Sequence, residues 1–241
     1  MLTAIVPARS GSKRLPHKNI KVLGGRPLLL WTLEACCDTA HIDEVILSTD
    51  SLEYWQIAQE CIDSEKLSLD LRSKEDAGDK IKIFDYIKNN RQKIFGARRG
   101  AFLLALPTVP FRTKKNISDA IALYEGTGRA VFSATNYGFP ISFAFEFNAV
   151  GAWTPIFGDS PMLTGNTRSQ NQVAAFHPNG AIYLRNITDL ANRDLRTLYD
   201  DAIPYLMSRN ESIDIDCEAD FQLAEALLEV MLESAGSSND P

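Results

Sequence analysis

Apolar positions along the chain fall into two alternating kinds of block. Leu2-Thr-Ala-Ile-Val-Pro7, Glu44-Val-Ile-Leu-Ser-Thr-Asp50 and Ala101-Phe-Leu-Leu-Ala-Leu106 are short aliphatic and β-branched runs. Runs of this kind read as strands buried on both faces. Leu67–Leu71 and Ala130–Ala134 add two more, shorter ones. Between them the apolar residues recur at helical spacing. Helices are predicted from Pro27 to about Cys37, after a Ser51 cap with Trp55, Ile57 or Ala58, and Ile62 inward, over Ile81–Ile94, and over Ile117–Tyr124. Strand–helix alternation at this spacing predicts βαβ units and a mostly parallel sheet, whose polar strand ends gather along one edge.

From about Phe139 to Arg185 the period changes. Ile141-Ser-Phe-Ala-Phe-Glu-Phe147 alternates every second residue, and Gly151, Pro155, Gly158, Pro161 and Gly165 interrupt the residues after it. This predicts an antiparallel excursion whose exposed aromatics pack on a second copy of the chain; a self-contained β lobe is the other reading. Parallel architecture resumes at Ile203–Met207 and ends in a helix from Glu218 to about Leu232. The expected organisation is an α/β domain over 1–138 and 186–233, an insertion over 139–185 and a disordered tail over 234–241.

Composition narrows the class. A net charge of -6 over 241 residues excludes a general nucleic-acid binder, and no apolar run is long enough to span a membrane. Cys36, Cys37, Cys61 and Cys217 lack metal-ligand spacing and read as reduced thiols of a cytoplasmic protein. Against this acidic background the loop after the first strand stands out, because Arg9, Lys13, Arg14, His17 and Lys18 crowd around Gly11 and Ser12. A basic, glycine-containing loop at the carboxyl end of a strand is where α/β sheets bind phosphates. Neither the P-loop nor the G-x-G-x-x-G order is present. A solvated basic connection is the plain alternative.

Near the other end, Asp214 and Asp216 lie two apart in a stretch predicted to be extended, so both carboxylates face one way, an arrangement that suits Mg²⁺. The same acids, with Glu218 and Asp220, would also suit a helix N-terminus. Asn179-Gly180 reads as a tight hairpin turn or as a place where backbone approaches a ligand.

Taken as a string, Ala8-Arg9-x-Gly-Ser-Lys-Arg-Leu-Pro-x-Lys-Asn-Ile followed by Leu23-x-Gly25-Arg-Pro27-Leu-Leu resembles the signature of the acylneuraminate cytidylyltransferases. Ser212-Ile-Asp-Ile-Asp-x-Glu-x-Asp-Phe221 resembles that family's metal segment, and Phe176–Tyr183 resembles its sugar-binding element. The resemblance implies a Rossmann-like α/β fold and transfer of CMP from CTP to the anomeric hydroxyl of a nine-carbon 2-keto sugar acid of the sialic, legionaminic or pseudaminic type, with release of pyrophosphate. It also implies a homodimer whose insertion reaches the partner's site, and Mg²⁺ on Asp214 and Asp216. Arg9, Lys18 and Asp216 would be catalytic. Ala8, Arg9, Ser12, Lys13, Asn19 and Arg72 would bind CTP. Leu106, Arg168, His177, Asn179 and Tyr183 would face the sugar. Departures from the family pattern are Leu106 in place of glutamine, Lys80-Ile-Lys-Ile83 after Asp79, His177 in place of a more basic residue, and Ser169-Gln170 beside Arg168. They fall mostly on the sugar side or the base pocket, and point to a legionaminic- or pseudaminic-type acid. An eight-carbon 3-deoxy-octulosonate as substrate, and an idle nucleotide-binding paralogue, are the rivals.

Overall fold

The structure, a computed structural model, describes residues 1–192 and 194–237. In chain order its elements are β1 (Leu2–Pro7), β2 (Val22–Leu23), β3 (Arg26–Pro27), α1 (Leu28–Cys37), β4 (Glu44–Thr49), α2 (Leu52–Cys61), β5 (Leu67–Leu71), α3 (Ile83–Asn89) and α4 (Arg91–Phe95). There follow β6 (Ala101–Leu104), α5 (Lys114–Thr127), β7 (Val131–Asn136), β8 (Phe145–Phe147), β9 (Trp153–Pro155), α6 (Pro161–Thr164), β10 (Phe176–Asn186), β11 (Ile203–Leu206) and α7 (Glu218–Ser237). The central sheet runs β11-β7-β10-β6-β1-β4-β5. Every pairing in it is parallel except those of β10, which is antiparallel to both β6 and β7.

The period-two pattern sorts side chains onto the two faces. Ala4, Val6, Val45, Leu47 and Leu103 point to one side, where α1, α2 and α5 cover them with Leu29, Leu33, Tyr54, Ile117 and Ile121. Ile5, Ile46, Phe102 and Leu104 point to the other, against Phe84, Ile87, Ile94 and Phe95 of α3 and α4. Burial on both sides is why these strands read as unbroken apolar runs. Local signals set the helix ends. Ser51 accepts the Tyr54 N–H, and Thr113 forms a reciprocal cap with Asn116. Gly128 ends α5 in the left-handed conformation.

The alternating stretch at 141–147 is only partly strand: Ile141–Phe143, just after Pro140, forms a 3₁₀ turn, and only Phe145–Phe147 pairs, with Trp153–Pro155. The helix expected over Ile81–Ile94 breaks at Asn90 into α3 and α4. Phe176–Asn186, placed by pattern mostly in the insertion, is a strand of the central sheet. The last helix continues through Ser234 to Ser237, so the expected tail is helical there, and 238–241 lie outside the described residues. No helix among the described residues is long and apolar enough to cross a membrane.

Candidate active site

The carboxyl ends of β1, β5 and β6 open onto a cleft of 410 Å³. Its walls include Arg9, Ser12, Lys13, Lys18, Asn19, Arg72, Leu106, Asp214 and Asp216, which come from four separate parts of the chain. The basic loop is a built structure. Ser10 donates both its N–H and its hydroxyl to Asp50, each at 2.8 Å, fixing the loop to the end of β4. Asn19 Nδ2 donates to the Arg9 carbonyl at 2.9 Å, closing the loop on itself. Leu15 is buried beside Phe111 and Ile215. Ala8 lies beneath, fully buried, its N–H on the Ser48 carbonyl, and does not reach the cleft.

Lys18 is nearly buried, and its Nζ donates to the Ile215 carbonyl at 2.7 Å and to Asp216 at 3.0 Å. Arg14 meets the other Asp216 oxygen at 2.8 Å. Arg9 pairs with Asp79 at 2.9 Å, and Lys13 pairs with the same carboxylate. At the end of β5, Arg72 is buried, with its N–H on the Thr49 carbonyl at 2.8 Å and Nη2 on the Ser48 carbonyl at 3.1 Å. Burial pushes its guanidinium below the ordinary value, although Asp50 opposes the shift. Its Nε has no protein partner. A buried donor left open at a cleft wall is a group that a ligand can satisfy.

The acidic segment owes its geometry to its isoleucines. Ile213 and Ile215 pack with Phe221 and Leu228 of α7, and the Ile215 N–H bonds the Thr108 carbonyl at 2.8 Å. Asp214 and Asp216 therefore project the other way, into the cleft. The capping role goes elsewhere, because Asp220 accepts the N–H groups of Asp216 and Cys217, and Glu218 pairs with Lys21. Desolvation by the surrounding chain raises the Asp214 carboxyl above its ordinary value, and Asp216 adds to the shift. Two carboxylates facing an open cleft fit Mg²⁺, which takes one or two protein carboxylates and fills its other positions with water and phosphate. Among the described residues no group of three or more metal-ligating side chains forms a closed protein cage.

The residues expected on the sugar side separate. Leu106 lines the cleft, and Ile81 and Ile83 extend it into an apolar wall. Arg168 is exposed in the insertion. His177 lies at the start of β10, its ring 4.7 Å from that of Tyr137, outside the cleft. Tyr183 is buried in the second core, with its hydroxyl 3.1 Å from that of Tyr199, and burial pushes its phenol well up. Asn179 is buried and structural. Its Oδ1 accepts from the Ser133 hydroxyl at 2.5 Å and from the Ala181 N–H at 3.1 Å, and its Nδ2 donates to Ser212 Oγ at 2.8 Å. Asn179-Gly180 is not a hairpin turn but the site of a register shift within β10. Gly180 has φ +76°, and a Cβ there would sit 3.1 Å from Leu106 Cδ1. Asp79 and Thr108, which the sequence left without a role, both line the cleft.

The cytidylyltransferase family profile matches residues 3–89, the stretch that holds β1, the basic loop, β4, β5 and Arg72. The chain is 34% identical over 226 residues to the N-acylneuraminate cytidylyltransferase of Escherichia coli O18:K1:H7, covering 92% of this chain and 51% of that protein. It is 29% identical over 242 residues to the CMP-N,N'-diacetyllegionaminic acid synthase of Legionella pneumophila, covering 97% of this chain and 98% of that protein. Profile and relatives agree: the chain is similar to the acylneuraminate cytidylyltransferases over most of its length. It spans about half the length of the first relative and nearly all of the second. Among solved structures, a CMP:2-keto-3-deoxy-manno-octonic acid synthetase complexed with CTP superposes with a TM-score of 0.67 at 14% identity, covering 95% of this chain and 99% of that one. At that identity the likeness is one of fold alone. The basic-loop side of the cleft lies within the stretch that the family profile matches.

Proposed function

We propose that the chain is a cytidylyltransferase that joins CMP from CTP to the anomeric hydroxyl of a nonulosonic acid and releases pyrophosphate. The observation that carries this reading is the convergence of Arg9, Lys13, Lys18, Arg72, Asp214 and Asp216 on one cleft. Arg9, Lys13 and Lys18 take the triphosphate and offset charge on the pyrophosphate as it leaves. One such contact is typically worth ~3–4 kcal/mol of barrier. Arg72, anchored to two backbone carbonyls, and Ser12 and Asn19 complete the nucleotide side. The sugar hydroxyl attacks the α-phosphorus from the side of Asp214 and Asp216. These two carboxylates would hold Mg²⁺, which supplies charge stabilisation at the phosphates and lowers the pKa of the attacking hydroxyl.

The Ile81, Ile83 and Leu106 wall can neither donate nor accept, so a polar group forced against it loses hydrogen bonds at ~1–3 kcal/mol each. This favours a less hydroxylated, di-N-acylated acid of the legionaminic or pseudaminic type over N-acetylneuraminate. His177, outside the cleft of its own chain, no longer supports that preference. Phe145, Phe147 and Trp153 form an exposed aromatic face, with Phe147 72% exposed. In the proposed homodimer this face meets the second copy and brings Arg168 toward the partner's cleft. A cytoplasmic location is part of the proposal and suits the four free thiols. Pyrophosphate release from CTP with a panel of keto sugar acids tests the whole reading. A kcat/KM preference of at least ~10-fold for a legionaminic- or pseudaminic-type acid is expected. Equal or better turnover of N-acetylneuraminate refutes the preference, and no release with any acid refutes the activity.

A further inference from the structure

The four Lys and Arg side chains of the basic loop all find partners within the chain, two to each carboxylate, so the loop keeps a net positive charge. Arg14 and Lys18 share Asp216, and Arg9 and Lys13 share Asp79. Asp216 has a second task in the proposed mechanism; Asp79 has none. It stands on the segment between Arg72 and Ile83, which is held by short-range turns such as Ala77 N–H to Ser73 O and Ile81 N–H to Gly78 O. Its carboxylate lines the same cleft as the cations it bridges. Two carboxylate oxygens, one on a guanidinium and one on an ammonium, reproduce what a phosphate would offer the same pair.

We propose that Asp79 is a displaceable internal counter-anion of the triphosphate subsite. It keeps Arg9 and Lys13 aimed into the empty cleft, yields them when nucleotide arrives, and takes them back as pyrophosphate departs. This role rests on the nucleotide reading of the cleft. Competition of this kind weakens binding of every polyphosphate by a common factor and hastens release of the product. Arg9 and Asp79 are partly exposed and Lys13 largely so, and each pair is therefore worth at most about fivefold in an equilibrium constant. Ground-state affinity for the anion is therefore set below what the basic loop alone would give.

The test compares wild type with Asp79→Asn, using inorganic tripolyphosphate as the probe, titrated calorimetrically at low salt and without sugar. Asn keeps the shape and removes the charge. Tripolyphosphate is expected to bind the variant ~3–10-fold more tightly, with the gap closing as salt rises. In turnover, KM for CTP and the inhibition constant for pyrophosphate should fall by that same factor. A residue that merely supports the fold would lower the melting temperature and leave the tripolyphosphate affinity unmoved. Unchanged or weaker binding by Asp79→Asn, while Arg9→Ala still weakens it, overturns the role of Asp79 alone. If wild type does not bind tripolyphosphate at all, the nucleotide reading of the loop falls and this inference with it.

Discussion

Replacing Lys18 by Met tests the junction on which the site is hung. The substitution keeps the apolar stem and removes the ammonium, which is the common partner of the Ile215 carbonyl and Asp216. A hydrogen bond from a charged donor contributes ~1.5–3 kcal/mol, and a carbonyl left buried without a partner costs a similar amount. Allowing for the solvent that reaches Asp216, the expected loss is ~2–4 kcal/mol, or roughly 4–16 °C in melting temperature for a chain of this size. Catalysis should suffer separately. If Lys18 also stabilises the leaving pyrophosphate, kcat/KM for CTP falls by ~10²-fold or more. Pyrophosphate release, measured well below the shifted midpoint found by circular dichroism, separates the two losses. A lower midpoint with turnover within about threefold of wild type would show that Lys18 only braces the acidic segment.

Asp216→Asn should abolish turnover at ordinary Mg²⁺ with the fold intact. Normal activity would remove Asp216 from the mechanism. Asp214→Asn should lose activity yet gain stability in chelator at neutral pH. The folded carboxyl titrates above the unfolded one, so the wild type loses stability as pH rises from the ordinary carboxylate value through the raised one. The variant's advantage in melting temperature should vanish at acid pH; an advantage that grows on acidification contradicts the sign. Gly180→Ala meets both a positive φ and Leu106 Cδ1. It should destabilise by ~1–2 kcal/mol and raise KM for the sugar acid more than KM for CTP. A selective rise for CTP would place Leu106 on the nucleotide side.

What could be read from the chain was what is local in the chain. The strands of the β1-β4-β6 core announced themselves because both faces are buried, and the basic loop because its charges lie close together in sequence. The extended Asp214–Asp216 segment was legible from two isoleucines at alternate positions. Asn179 was opaque for the opposite reason. Its neighbour Gly180 speaks the language of turns, while the partners that decide its conformation, Ser133 and Ser212, are far away in sequence. Asp79 was likewise silent, since its meaning lies in Arg9 and Lys13 across the cleft. Alternation at 141–147 promised a full strand, but Pro140 and the turn after it leave only the last three residues paired.

The one antiparallel strand of the central sheet has a consequence for how the molecule comes into being. β7 and β11 touch the rest of the sheet only through β10, which lies between β7 and β6. A growing chain that has reached the insertion can already assemble β5, β4, β1 and β6, because each pairs with a strand of that set. β7, though made by then, has nowhere to attach until residues 176–186 arrive and pair on both sides. Sheet closure is thus a late, long-range event, the kind whose loop entropy must be met before its contacts are gained. The insertion leads directly into that strand, so the two half-sheets can join only once the chain between β7 and β10 has been spanned.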